Sequence, residues 1–173
     1  MFITYNELQN HVKAALDKHG KRRKDTLREI KFSKTGIEAY DKAFAYADEI
    51  SNTTAAVLFS SVRCAGFESA AVREDVCRLV LMPMILASAQ WVGEAADTAQ
   101  VRFNGEIGLG VAPAKRRTLD VMMKGTLLKI WPVEERMLDE DNMKDTLREC
   151  FAEIVRGTMT ANRDLHKSIG ATK

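Results

Sequence analysis

Two clusters of basic residues are the part of this sequence whose residue types and spacing could do chemistry. The run "KRRK" occupies residues 21–24, and the glycine-rich stretch "GEIGLG" occupies 105–110. Four basic residues bracket that stretch: Arg102, Lys115, Arg116 and Arg117. Cationic side chains on a glycine-rich segment can neutralise phosphates without reading bases, which is the physics of nonspecific nucleic-acid binding. The alternative for either cluster is a solvated charged surface.

The sequence contains few candidate residues for catalysis, metal binding or nucleotide binding. The three histidines, His11, His19 and His166, stand in no nucleophile motif, and neither GxSxG nor HExxH occurs. Glu7 and His11 are four residues apart, but two ligands on one helix are more typical of a solvated pair than of a metal site. "GEIGLG" lacks the Lys-Ser/Thr that completes a P-loop. We therefore expect no enzyme, no metal and no cofactor.

The composition indicates one domain over residues 1–173, since 46% of the residues are hydrophobic and the length suits a single core. The cysteines form no CxxC pair, so we expect reduced, buried thiols at Cys64, Cys77 and Cys150. The longest apolar run, "LVLMPMILA" at 79–87, is shorter than the roughly 18 residues of a membrane span, so we expect a core segment and no membrane partner. The first residues also lack the pattern of a secretory signal.

Charge is segregated along the chain. Residues 1–34 carry nine basic and four acidic side chains, residues 35–111 carry five and ten, and residues 133–153 carry three and eight. Blocks of alternating sign suit a molecule that meets copies of itself or holds a polyanion at one site. Solvated helix faces are the alternative for any single block.

Apolar spacing and capping residues predict helices throughout. Thr4 and Glu7 have capping-box spacing and open a first helix that we expect to end at Gly20. Thr26 and Glu29 repeat that spacing and indicate a new helix start.

Two longer helices are expected next. The spacing from Ile37 onward predicts a helix that continues to about residue 65 and ends at Gly66. Another helix begins at Ser69 and fades near Thr98, with Pro83 either kinking it or opening its successor.

Residues 100–117 differ from the helical segments around them. Asn104-Gly105 between apolar residues is a hairpin signal, but glycine and proline are frequent enough to indicate a mobile loop, which we favour. Helical spacing returns after this loop, and the last helix is expected over roughly 141–156, opened by the acidic "DEDN" at 139–142. The predicted fold is all-α: an antiparallel four-helix bundle with a long glycine-rich loop between the third and fourth main helices.

The stretch "EIVRGTMTANR" at 153–163 resembles the region after the last bundle helix of tobamovirus coat proteins, the subunits of rod-shaped plant RNA viruses. That family has Glu, two aliphatics, Arg-Gly-Thr, three variable residues and Asn-Arg. The matching residues are Glu153, Arg156, Gly157, Thr158, Asn162 and Arg163. Upstream, "PAKRRTLD" resembles the family's proline, four residues, then Thr-Leu-Asp; the matching residues are Pro113, Thr118, Leu119 and Asp120. "PMILA" followed by "ADT" resembles the family's proline-led third helix, and the resemblance covers about 83–169.

The resemblance implies a coat protein that stacks into an open helix around single-stranded RNA, in the virion and the host cytoplasm. Its loop would lie beside the RNA, with a flexible tail over about 164–173. The resemblance implies phosphate contacts at Arg102, Lys115, Arg116, Arg117 and Lys124; the last of these stands where the family has an arginine after Thr-Leu-Asp. It implies a structural role at the helix end for Arg156, Asn162 and Arg163. This chain departs from the family pattern at Ala99 and Val101, which stand where the family has arginines, and at Met82, which replaces an acid.

Two other functions remain open. One is a free helical nucleic-acid-binding accessory protein that uses "KRRK" and does not polymerise. The other is a protein-interaction adaptor or inhibitor whose working face is the acidic block 133–153.

Overall fold

The described part of the chain is built almost entirely of α-helices. A computed structural model describes residues 2–106 and 139–171, and of residues 161–171 the backbone alone. The helices are α1 (Tyr5–Lys31), α2 (Gly36–Val62), α3 (Ala70–Val76), α4 (Met82–Glu106) and α5 (Glu140–Ala171). Within these two ranges there is no strand, only an isolated bridge between Ile3 and Cys64. The prediction of an all-α protein is confirmed.

Helix α1 begins where the capping box predicts and ends later than predicted. Thr4 Oγ1 accepts a hydrogen bond from the Glu7 amide at 3.1 Å, and Glu7 Oε2 accepts one from the Thr4 amide at 2.7 Å. The expected end at Gly20 and the expected new start at Thr26 are both wrong, because α1 continues unbroken to Lys31. A glycine inside a helix costs only about 1 kcal/mol, which long-range contacts farther along α1 can offset.

Helix α2 is opened by Thr35, whose Oγ1 accepts a hydrogen bond from the Glu38 amide at 3.0 Å. Its predicted course is confirmed, although it ends at Val62 rather than near residue 65. Gly66 follows in a turn with φ +81, a left-handed conformation that favours glycine.

Pro83 lies inside a continuous helical run and not at a break. The segment Cys77–Leu81, which joins α3 to α4, is π-helical, and the Met82 amide donates to the Cys77 carbonyl five residues back. Proline has no amide hydrogen and its ring collides with the carbonyl four residues earlier, so a wider turn just before it relieves both problems. Ser69 precedes this run as predicted.

Helix α4 extends eight residues past the predicted end at Thr98 and finishes at Glu106. The favoured loop and the alternative hairpin are therefore wrong for residues 100–106, which are helical. The rest of the predicted loop, and the helical spacing that follows it, lie outside the described residues.

Helix α5 begins on its acidic cap and is twice the predicted length. Asp139 Oδ1 accepts a hydrogen bond from the Asp141 amide at 3.1 Å, as expected for "DEDN". The predicted end near residue 156 is wrong, because the helix continues to Ala171. The tail predicted from about residue 164 thus begins inside α5.

The core lies between α2 and α4, and both α1 and α5 pack on that pair. Its largest fully buried side chains include Tyr40, Ile50, Met84, Leu147 and Phe151. Each long helix except α1 contributes a continuous apolar row, whereas the buried residues of α1 are only Leu8, Ala15, His19 and Ile30.

The cysteines are free and buried, as predicted, and burial raises the pKa of the Cys64 thiol. The apolar run 79–87 belongs to a longer helical stretch, Ala70–Glu106, which is long and apolar enough to cross a membrane. The apolar window of that stretch is 56% buried inside the protein, and core helices of non-membrane proteins have the same length and composition. The absence of a membrane partner stays a prediction.

Candidate nucleic-acid interface

Arg102 holds the last turns of α4 against the turn between α1 and α2. Its Nε donates to the Ser33 carbonyl at 2.9 Å, and its Nη2 donates to the Lys34 carbonyl at 2.8 Å. These two carbonyls follow the end of α1, where a cation is favourable because the helix dipole leaves partial negative charge there. Two of the three guanidinium nitrogens are thus already used within the protein.

Glu106 completes this junction from the other side. Its carboxylate accepts a hydrogen bond from the Gly36 amide at the start of α2, and its Oε2 lies 4.0 Å from Arg102 Nη1. An anion at a helix N-terminus stabilises the unpaired amides there. The close approach requires glycine, because a Cβ on Gly36 would lie 2.8 Å from the Phe103 Cα.

Beside this junction lies an open hollow of about 370 Å³. Its lining residues are Lys31, Asp97, Thr98, Val101, Arg102 and Gly105. The hollow borders the point at which the chain leaves α4 for the basic segment. The junction and the hollow lie together where α4 ends, and Lys31 and Arg102 supply cationic side chains there.

The four predicted RNA-binding residues beyond Arg102 lie outside the described residues: Lys115, Arg116, Arg117 and Lys124. The same is true of Thr118, Leu119 and Asp120. Of the predicted RNA-binding residues, only Arg102 lies within the described ranges, near the end of α4 and ahead of the segment that contains the others.

The "KRRK" run is divided between structural and exposed roles. Arg22 pairs with Glu49 of α2, and Arg23 donates from Nε and Nη2 to the Glu94 carboxylate of α4 at 2.5 and 2.9 Å. Lys21 and Lys24 are exposed on the outer surface of α1. The arginines therefore fasten α1 to the core, and the lysines are the members of the run that a partner can reach.

The motif at 153–163 lies within α5 and not at a helix end, and the structural role predicted for Arg156, Asn162 and Arg163 stays a prediction. Arg156 pairs with Glu149 two turns earlier. Thr158 is buried and its Oγ1 donates to the Val155 carbonyl at 2.9 Å. Glu153 and Gly157 are half-buried, while the side chains of Asn162 and Arg163 lie outside the described residues. A structural role for the described part of the motif fits these contacts.

Family models, curated proteins and solved structures give no match to this chain.

His19 is the notable residue that sequence reasoning missed. It is wholly buried in α1, with its ring centroid 6.1 Å from that of Trp91 in α4. Neither Nδ1 nor Nε2 has a hydrogen-bond partner in the described part of the chain. The spacing Leu8, Ala15, His19 puts all three on one helical face, and this signal could have identified it as a buried residue.

No group of three or more potential metal ligands occurs among the described residues. The carboxylate of Glu7, the one candidate ligand beside His11, is engaged as the cap of α1.

Proposed function

We propose that this chain is a non-enzymatic viral coat protein that self-assembles into a helical rod around single-stranded RNA. In this proposal the four long helices form an antiparallel bundle, and the basic segment after α4 is the glycine-rich loop that meets the RNA. The protein would then occur in the virion and in the host cytoplasm. The ordered sequence resemblance over about 83–169 is the starting point.

The observation that supports the proposal best is the junction at the end of α4. Arg102 and Glu106 fasten this end to the start of α2 and to the turn before it. These contacts fix the position of the last turn of α4, the point from which the chain continues into the basic segment. Because Arg102 is engaged at the junction, we assign the phosphate contacts to Lys115, Arg116, Arg117 and Lys124.

Assembly requires two different surfaces on one subunit. Helices α1 and α5 each pack on the α2–α4 pair and present separate outer faces, and the block 1–34 that contains α1 is basic while the block 133–153 is acidic. Contacts between unlike surfaces are head-to-tail and generate an open helix when the rotation does not close. RNA would be held through its phosphates, largely without sequence preference.

Electron microscopy of the full-length protein with and without single-stranded RNA tests the proposal. We expect rods or stacked discs that protect the RNA from nuclease. The double variant Arg116→Glu/Arg117→Glu should lose protected RNA while its helical circular dichroism is unchanged. A matched charge reversal, Lys21→Glu/Lys24→Glu, should weaken rod formation, because these lysines lie on the basic outer surface of α1, while the unassembled protein still binds RNA.

The exposure of Lys21 and Lys24 favours a second candidate, the non-polymerising accessory protein. That function predicts persistent monomers and the opposite result for the two double variants: RNA binding lost in Lys21→Glu/Lys24→Glu and kept in Arg116→Glu/Arg117→Glu. Monomers that bind no RNA at all would contradict both functions and leave the adaptor, whose acidic face would be tested by capture of basic peptides.

A further inference from the structure

His19 is a buried ionisable group that has no partner for its charge among the described residues. The side chain has 0% exposure and both ring nitrogens lack hydrogen bonds to the described residues. A neutral imidazole carries one donor and one acceptor, and a protonated one carries two donors that require acceptors. Burying a charge without a partner costs far more than burying the neutral ring.

The charged groups around this turn give no help to a protonated ring. Lys18 and Arg22, on α1 itself, are cations. The carboxylate of Glu49 on α2 is paired with Arg22, and that of Glu94 on α4 is paired with Arg23. Burial first, and then the charges of Lys18 and Arg22, lower the pKa of His19.

Tyr46 of α2 lies within electrostatic reach of Glu94, Arg23 and Arg22, and its buried hydroxyl also lacks a partner in the described part of the chain. Burial, followed by the charge of Glu94, raises the pKa of Tyr46 to about 12. It is therefore neutral wherever His19 titrates and supplies no negative charge to the imidazolium.

Of the four long helices, α1 has the fewest buried side chains among the described residues. It buries only four side chains, and His19 is among them. Its remaining anchors near this point are the ion pairs of Arg22 and Arg23, which are partly exposed, and exposed pairs contribute little.

We propose that His19 is an acid-sensitive latch: while neutral it lets α1 pack on α2 and α4, and its protonation releases the middle of α1 into solvent. The protonated ring gains water as its acceptor only if the helix moves away from Trp91. The proposal is independent of the coat-protein function.

The pH range follows from the direction of the pKa shift. An exposed histidine has a pKa of about 6.5, and the released helix takes up a proton below that pH while the packed helix does not. The packed state therefore has its full stability relative to the released state above about pH 6.5, and this stability decreases as the pH falls. With one proton involved, the equilibrium for release rises at most about tenfold per pH unit until the pKa of packed His19 is reached.

Hydrogen exchange of the full-length protein at pH 7.5 and 5.5, corrected for the intrinsic exchange rate, tests the latch. We expect the opening equilibrium of α1 amides around residue 19 to rise about tenfold relative to amides of α5. The variant His19→Phe should remove this pH dependence. The control His11→Gln, at an exposed histidine of the same helix, should keep it. Equal protection of α1 at the two pH values would overturn the proposal.

A second measurement keeps the test decisive if His19→Phe does not fold. The imidazole of His19 in the wild-type protein can be titrated by NMR, with His11→Gln and His166→Gln used to assign the three histidine signals. We expect a pKa below that of an exposed histidine and a loss of α1 protection over the same pH range. A pKa of about 6.5 or higher for His19, or a loss of protection at another pH, would contradict the latch.

Discussion

Arg23 and Glu94 form a two-point ion pair between α1 and α4, with Nε and Nη2 donating to the two carboxylate oxygens at 2.5 and 2.9 Å. Paired planar geometry of this kind is stronger than a single contact, but both side chains are partly exposed and water screens their attraction. We expect Glu94→Gln to lower the free energy of unfolding by about 1 kcal/mol. Urea denaturation at low and high salt measures this.

The control is a double-mutant cycle with Arg23→Gln. If the two side chains stabilise the protein through their ion pair, Arg23→Gln should lower the free energy of unfolding much less in the Glu94→Gln background than in the wild type. The coupling energy between the two changes should decrease at high salt. Additive effects of the two changes would show that each side chain acts separately.

Two glycines should respond to alanine in opposite directions. A Cβ on Gly20 would meet nothing within 4 Å, so Gly20→Ala should raise the free energy of unfolding by about 0.5–1 kcal/mol through helix propensity. A Cβ on Gly36 would lie 2.8 Å from the Phe103 backbone, so Gly36→Ala should lower it by about 1–3 kcal/mol. Thermal unfolding of the two variants provides the comparison, and a stabilised Gly36→Ala would refute the close approach.

Sequence patterns located the helices but not their lengths, and the reason is visible in α1 and α4. Gly20 was interpreted as a stop because it is a poor helix former. Beyond Gly20, α1 is in contact with α2 and α4 through Arg22 and Arg23, which form ion pairs with residues 27 and 71 positions away in the sequence. The glycines and the proline of residues 100–117 likewise favour a loop, yet α4 continues to Glu106, where Arg102 and Glu106 bind the turn before α2 and its first residue. Local periodicity contains none of these pairings.

In the candidate site, too, features that depend on nearby residues can be predicted from the sequence, whereas features that depend on distant residues cannot. The capping box of Thr4 and Glu7 depends on residues three positions apart and is correctly predicted from the sequence. The role of Arg102 as a clasp depends on residues 68 and 69 positions away and could not be deduced from its own surroundings. The burial of His19 can be predicted from its helical face, but only the structure shows that its ring nitrogens have no partner among the described residues.

The hydroxyls of Thr54 and Ser88 share a buried hydrogen bond of 2.9 Å between α2 and α4. Ser88→Ala alone leaves the Thr54 hydroxyl buried without this partner and should cost about 1–3 kcal/mol. Adding Thr54→Val, which keeps the shape and removes the polar atom, should restore most of that loss. Chemical denaturation of the two single variants and the double variant decides this; a double variant that is the least stable of the three would contradict the pairing.

The N-terminus of α1 should fray in acid. Hydrogen bonds from the Thr4 amide and hydroxyl lower the pKa of the Glu7 carboxyl from its usual value of 4.5, so the cap is fully formed above that pH and is lost as the pH falls through the folded-state pKa. Amide exchange in the first turn should accelerate, beyond its intrinsic rate, as the pH falls below 4.5. Glu7→Gln should abolish this dependence, and this pH range lies below the one expected for His19.

The π-helical segment Cys77–Leu81 is the structural equivalent of one inserted residue in an otherwise regular helix. Removing a residue from an ordinary helix rotates everything beyond it by about 100° and turns its apolar face outward. Here, deletion of a single residue from the widened turn would instead restore regular winding and leave the flanking faces in phase. Pro83 opposes that regular winding, so a shortened relative of this chain is expected to have lost the proline together with the extra residue.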